Sequence, residues 1–309
     1  MLIEQITTDA FRDRAEWLSR NHPRFIIAYD FLQNEYLRWI HSSGVLDDPE
    51  LLRLIPPFPP EALRSITGPV ELPLFLYHGL NQLGQIMTMF EVHRKTDSPH
   101  PRILDFGVGS GRLARFFAHR PDLWELHGCD VNPETATWCK TNIPGEFVCN
   151  GPLPPLSYES EFFDLIYAFS VFSHLPLEST KAWLNELTRL LKPSGALVIS
   201  THGYAALDII EGSTVHQGMF LTTSKDVRDW RNIIRDTGFH YNSLPKSVTD
   251  MAMTGSDYGN SFISSEFLPS LAPEGFQIAE HVRGFWGWQD FSAITRIEKH
   301  TEWERPFNR

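Results

Sequence analysis

Cysteine is scarce in this chain, with only Cys129, Cys139 and Cys149 among 309 residues. Their ten-residue spacing matches neither the paired Cys-x-x-Cys of a zinc site nor a disulfide framework. The three are therefore read as small buried apolar residues, and their odd number fits a reducing compartment. Any apolar run of the roughly 20 residues needed to span a bilayer is also missing, so no membrane partner is expected. The opening MLIEQITTDAFRDR has early acidic residues and no apolar stretch before a small-residue cleavage site; no secretory signal is read there, and a cytoplasmic setting is expected. Positive charge is short too. Lys and Arg number 27 against 38 Asp and Glu, a net charge of −11, which repels a nucleic-acid backbone unless a local basic patch opposes it. No set of His, Asp, Glu or Cys has metal-ligand spacing, so no metal is expected.

What is present changes character along the chain. PRFIIAYDFLQNEYLRWIH at 23–41 has near-helical apolar spacing, LIPPFPP at 54–60 reads as a connector, and 71–93 resumes a helical pattern that Gly79 and Gly84 weaken. After SPHP at 98–101, short apolar strands alternate with helical segments, the pattern of a parallel sheet covered by helices on both faces. Strands are expected to end near Leu104, Asp130 and Asn150. FFDLIYAFS at 162–170 is a nearly continuous apolar run suited to a central strand, and ALVIS at 196–200 follows a helix over about 178–192. Asn132-Pro133-Glu134 supplies a cap, a proline and an acid to start a helix over 133–141. The segments 276–282 and 290–297 are expected to pair antiparallel across RGFWGWQ. Between about 203 and 260 an insertion is expected to hold one helix, 224–236, capped by Ser224 and ended by Gly238.

The sequence DFGVGSGR at 105–112 carries the most specific chemistry. Its glycines give G-x-G-x-G with Arg112 in the sixth place, where a dinucleotide-binding turn has its third glycine. A nucleotide-hydrolase loop would need Lys followed by Ser or Thr, and neither stands there. ILDFGVGSGRLARF, HGCDVNP, FDLIYAFSVFSHLP and LLKPSGALVIS, in this order over about 103–200, resemble the motifs of class I S-adenosylmethionine-dependent methyltransferases of small-molecule type.

The resemblance implies a Rossmann-like, doubly wound, mostly parallel seven-stranded α/β sheet with an antiparallel last strand, plus an N-terminal helical region and an insertion after strand five. It divides the chain into an N-terminal helical lid (1–97), a cofactor-binding core (98–203), an acceptor cap (204–260) and the end of the core sheet (261–309). The implied cofactor is S-adenosylmethionine, leaving S-adenosylhomocysteine as product. Asp105 would hold the loop and the cofactor's amino end, Gly107, Gly109 and Gly111 would admit it closely, and Asp130 would accept from both ribose hydroxyls with Val131 beside the adenine. The third strand offers Asn150-Gly151 where many members have Asp; the Asn carbonyl can still accept a hydrogen bond from the adenine amino group. Phe169 and Ser170 would lie under the cofactor, Phe169 having core packing as its other reading.

His174 and His202 follow strands four and five on the carboxyl edge of the sheet, and each is a candidate general base with a backbone-bonded histidine as its alternative. Tyr77, His78 and Tyr258 are candidates for closing the pocket, with packing or surface as the alternative, and Trp286 and Trp288 are candidates for lining an acceptor pocket, with packing at the sheet edge as theirs. The expected partner is a small-molecule acceptor (metabolite, natural product or glycan) methylated on O or N. A nicotinamide-dependent oxidoreductase and a non-catalytic binding protein of the same fold stay open at this level.

Overall fold

A computed structural model describes residues 56–95, 98–118, 121–246 and 258–298; the helix expected at 23–41 lies outside them. Strands β1 (Arg102–Phe106), β2 (Glu125–Asp130), β3 (Glu146–Cys149), β4 (Phe163–Ala168) and β5 (Leu191–His202) run parallel in the order β3-β2-β1-β4-β5. β9 (Gln289–Arg296) lies antiparallel to β5 from Leu197 opposite Ile294 to His202 opposite Gln289, and β8 (Phe276–Trp286) closes that edge antiparallel to β9. The expected seven strands are therefore present, with the hairpin turn shortened to Gly287-Trp288.

The period of two in β4 explains why its sequence is apolar throughout. Leu165 and Tyr167 join the core under one helical layer, while Ile166 and Ala168 join the core under the other, and all six residues are buried. The first layer includes α2 (Leu72–His93), α3 (Ala114–Ala118) and α4 (Pro133–Asn142); the second is built on α5 (Leu177–Leu190), whose Trp183, Leu184, Leu187 and Leu190 face the sheet. Before α2 comes a short helix, α1 (Glu61–Thr67). Gly79, which weakens α2 as a sequence, is there for space: a Cβ would stand 2.8 Å from Arg112 O and 2.9 Å from Phe116 Cε2.

The insertion holds more than one helix. It forms α6 (Tyr204–Glu211), α7 (Thr214–Met219), α8 (Ser224–Thr237) and the hairpin of β6 (Phe239–Ser243) and β7 (Gly259–Ile263), bringing the described strands to nine. α6 and α7 are too short to show a helical period, and the hairpin pairs residues far apart in sequence. The cap of α8 is Thr223, one residue earlier than expected, because Thr223 and Asp226 exchange hydrogen bonds in a capping box; Gly238, at φ 80°, ends the helix as expected. Ala206, Leu207, Ile210, Val227, Trp230, Ile234 and Phe262 give these elements a small core of their own. Cys129 and Cys139 are buried as expected, but Cys149 is exposed because it sits on the edge strand β3.

Candidate active site

The strand order reverses between β1 and β4, and the crevice beyond their carboxyl ends is where open α/β sheets bind ligands. A cavity of about 1230 Å³ opens there. The glycine turn forms its floor. Gly107, Gly109 and Gly111 have φ of 81°, 53° and 76°, a region that L side chains rarely enter. A Cβ on Gly107 would lie 2.4 Å from Val171 Cγ2, and one on Gly111 would lie 2.2 Å from Ile143 Cδ1. Gly107 and Gly109 line the cavity, whereas Gly111 does not and instead seats the turn on α4. The turn is fastened to the next strand: Gly107 N and Val108 N each donate to Cys129 O at 2.9 Å, and Gly109 N donates to Asp130 Oδ2 at 2.7 Å.

Asp130 lines the cavity with its other oxygen accepting from Asn132 N at 2.8 Å. Burial pushes its carboxyl above the usual range, and the Asn132 and Gly109 amides pull it back. Asn132 caps α4 by accepting from Glu134 N and Thr135 N, so one residue stretch ends β2, shapes the acid's surroundings and starts the helix. Val131 also lines the cavity. Asp105, 3% exposed, is pushed up to about 7 by burial and by neighbouring Asp130, while Tyr167 and Arg112 draw it down. Its Oδ2 has no partner in hydrogen-bonding geometry, although the Tyr167 hydroxyl is near enough to affect it. Asn150 donates from Nδ2 to Gly151 O at 2.7 Å, and its Oδ1 is buried with no partner; both residues line the cavity. Phe169 lies with its ring 5.8 Å from that of Phe291, and the Arg112 guanidinium sits 5.5 Å from it on the cavity side.

The opposite end of the cavity is organised by β7. Ser261 N donates to Ser173 O at 2.8 Å and Gly259 N to His174 O at 3.2 Å, laying the hairpin beside the segment that follows β4. His174 Nδ1 stands 2.8 Å from Gly259 O, a carbonyl that can only accept, so Nδ1 carries the proton and Nε2 keeps its lone pair. Nε2 is 3.5 Å from Ser170 Oγ. Tyr258 stacks on the imidazole at 4.5 Å, and burial lowers the His174 pKa to about 4, so the ring is neutral at physiological pH.

His202 lies a layer deeper and does not line the cavity. Its ring is 5.9 Å from that of His174 and within 5.5 Å of the Phe220 and Phe262 rings, and burial pushes its pKa well down. Gln289 Nε2 reaches both His202 Nε2 and Ser170 Oγ at 3.2 Å, donating to each. Ser170 itself holds φ at 59° and donates its N–H to Ser200 Oγ at 2.7 Å. His78, Tyr258 and Trp288 line the cavity and Tyr77 does not; the Trp286 side chain lies outside the described residues. Sequence reasoning missed Gln289 and Arg112. Gln289 is brought in only by the β5–β9 pairing, while Arg112 stood inside the glycine motif and was noticed only as a missing glycine.

Residues 104–199, from within β1 almost to the end of β5, match the sequence model of a family described as "Methyltransferase domain". This segment is a methyltransferase domain of the class I, S-adenosylmethionine-dependent type. Among its relatives is an uncharacterised methyltransferase of Bacillus subtilis, 27% identical over 173 residues, which make up 54% of this chain and 72% of the relative. A malonyl-[acyl-carrier protein] O-methyltransferase of Halorhodospira halophila is 32% identical over 127 residues, covering 38% of this chain and 41% of the relative. Among solved structures, a Pyrococcus horikoshii protein superposes with a TM-score of 0.48 at 14% identity over 81% of this chain and 100% of its own. The magnesium protoporphyrin IX methyltransferase of Synechocystis, with S-adenosylhomocysteine bound, gives 0.48 at 12% identity over 77% and 94%.

The methyltransferase cavity fits its cofactor, S-adenosylmethionine. The turn has no Cβ atoms at its closest approaches, and two buried acceptors, Asp105 Oδ2 and Asn150 Oδ1, lack partners, which is costly unless a ligand supplies donors. Among the described residues no group of three or more His, Cys, Asp or Glu is placed to hold a metal, and no helix is long and apolar enough to cross a membrane.

Proposed function

We propose that this methyltransferase acts on an oxygen or nitrogen atom of a small-molecule acceptor, and that His174 is its general base. The observation that carries the reading is the fixed tautomer of His174, which leaves Nε2 unprotonated on a residue that lines the cavity. Two further points support it. The cavity, at about 1230 Å³, exceeds the roughly 300–1,000 Å³ that one drug-sized ligand occupies, leaving room for cofactor and acceptor together. The Halorhodospira relative is an O-methyltransferase by name, in keeping with an oxygen acceptor.

In this reading Gly107 and Gly109 let the backbone approach the cofactor, with Gly111 seating their turn. Asp130 accepts from the ribose hydroxyls, Val131 packs on the adenine, Asn150 Oδ1 accepts from its amino group beside Gly151, Asp105 takes the ammonium, and Phe169 lies beneath. The bound cofactor supplies a methyl group on a sulfonium whose thioether leaves without a proton, so orientation is most of the catalysis. The neutral Nε2 of His174 takes the proton of a hydroxyl acceptor as the new bond forms. His202 works one layer back by fixing Gln289 and through it Ser170. The insertion contributes Met219 and Tyr258, and the segment around α1 contributes Ser65, Ile66 and Pro69, so both serve as walls of the acceptor end.

Incubating the protein with methyl-labelled cofactor and a metabolite extract, followed by mass spectrometry, identifies the acceptor. With that acceptor, His174→Gln should lower methyl transfer by about a hundredfold or more, the usual scale for a general base, while S-adenosylhomocysteine binding stays unchanged. An undiminished rate would remove His174 from the base role.

A further inference from the structure

Gln289 lines the cavity with its carbonyl unused. It is 3% exposed, opens β9, and stands opposite His202 in the β5–β9 pairing. A glutamine amide has two N–H donors and one carbonyl acceptor. Nε2 spends both donors, one on His202 Nε2 and one on Ser170 Oγ, each at 3.2 Å. Among the described residues Oε1 is buried with no partner. The neighbours set which way the amide points. The Ser261 backbone acts on the His202 ring in the sense that favours a proton. With Nε2 turned to Gln289, that proton belongs on Nδ1, and Nε2 keeps the lone pair to which the amide donates.

A buried carbonyl without a donor is costly, and a ligand that supplies one lifts the cost. The proposed cofactor contacts are on the other side of β4: the glycine turn, Asp130 and Asn150 lie at the ends of β1, β2 and β3, whereas Gln289 lies beside the end of β5. The donor that Oε1 lacks therefore belongs to the acceptor. Ser170 Oγ fixes how close this point is to the base, being 3.5 Å from His174 Nε2 and 3.2 Å from Gln289 Nε2. Groups bonded to His174 and to Gln289 thus sit a few bond lengths apart on one molecule. They meet different chemistry, since a neutral imidazole takes a proton and an amide oxygen only accepts a hydrogen bond.

We propose that Gln289 Oε1 recognises a second donor on the acceptor, a hydroxyl or N–H one or two atoms from the atom that His174 serves. The acceptor class is then a diol or an amino alcohol, and the group held by Gln289 stays unmethylated because the amide does not remove its proton. This deepens the reading of the cavity as a methyl-transfer site with His174 as base, and rests on it.

Methyl-labelled S-adenosylmethionine and a metabolite extract are the first probes. Fragmentation of the labelled product should place a free hydroxyl or N–H one or two atoms from the new methyl group. A product without one would overturn the inference and leave the methyl-transfer reading standing; no labelled product at all would overturn that reading, and the inference with it. With the acceptor in hand, analogues whose second donor is replaced by hydrogen or by fluorine should each lose about tenfold to a hundredfold in kcat/KM, because neither replacement donates. Gln289→Met should lower the acceptor's kcat/KM and bring it within about threefold of the analogues'. A purely structural Gln289 predicts an equal loss for all three compounds, and that result would overturn the assignment. Should Gln289→Met fail to fold, the wild-type series still decides, since a fluorine analogue that reacts as fast as the acceptor would also overturn it.

Discussion

Asp105 gives the proposed cofactor site a test that a single buried side chain can report. Its carboxyl, pushed up to about 7 by burial, is mostly protonated at pH 6 in the free protein. A cofactor ammonium placed against it favours the ionised form, so binding should release a proton. The sign follows: affinity should rise with pH from about 5 to about 7 and then level off. Calorimetry in buffers of different ionisation enthalpy should count up to one proton released at pH 6, and Asp105→Asn should abolish the release. Asp130, whose two oxygens accept from Gly109 N and Asn132 N, offers a simpler test of the proposed ribose contact. Asp130→Ala should weaken S-adenosylhomocysteine binding by roughly tenfold to a hundredfold, the range for hydrogen bonds to a charged group; unaltered affinity would remove the ribose assignment.

At the level of elements, glycine and threonine positions separate local propensity from packing. In an exposed helix, Gly to Ala stabilises by about 0.5–1 kcal/mol. Position 79 of α2 should behave oppositely, because the added methyl would press on Arg112 O and Phe116 Cε2. Gly79→Ala is expected to cost about 1–3 kcal/mol, the range for overpacking, in a urea titration. The helix α8 carries its own start signal. Thr223→Ala should lower stability by about 1 kcal/mol through loss of the capping box and leave cofactor affinity intact, because α8 contributes nothing to the cavity lining. α8 was legible in the sequence for this reason, its cap, apolar stripe and terminal glycine all lying within sixteen residues. The β6–β7 hairpin was not, since its pairing joins Phe239 to Ile263 and has no local pattern of its own.

Across the whole molecule, a buried cation helps tie the proline-rich connector to the methyltransferase core. Arg115 donates to Pro56 O and Pro57 O and lies 4.5 Å from the Phe58 ring, which exploits the carbonyls that prolines retain after losing their N–H. Arg115→Met should lower the melting temperature and expose residues 56–60 to protease; resistance equal to wild type would show that other contacts hold the connector. The sequence by itself determined the alternation of strands and helices, the glycine turn, and the acids Asp105 and Asp130, because each is written in residues adjacent in the chain and governed by backbone sterics and periodicity. Only the tertiary structure decided that His174 reaches the cavity while His202 stands behind it, that Gln289 links His202 to Ser170, and that Arg112 lines the same cavity as Asp105. Those relations depend on strand pairing and on glycine-made clearances between distant segments, where burial and the lack of alternative partners, not local pattern, fix what each group can do.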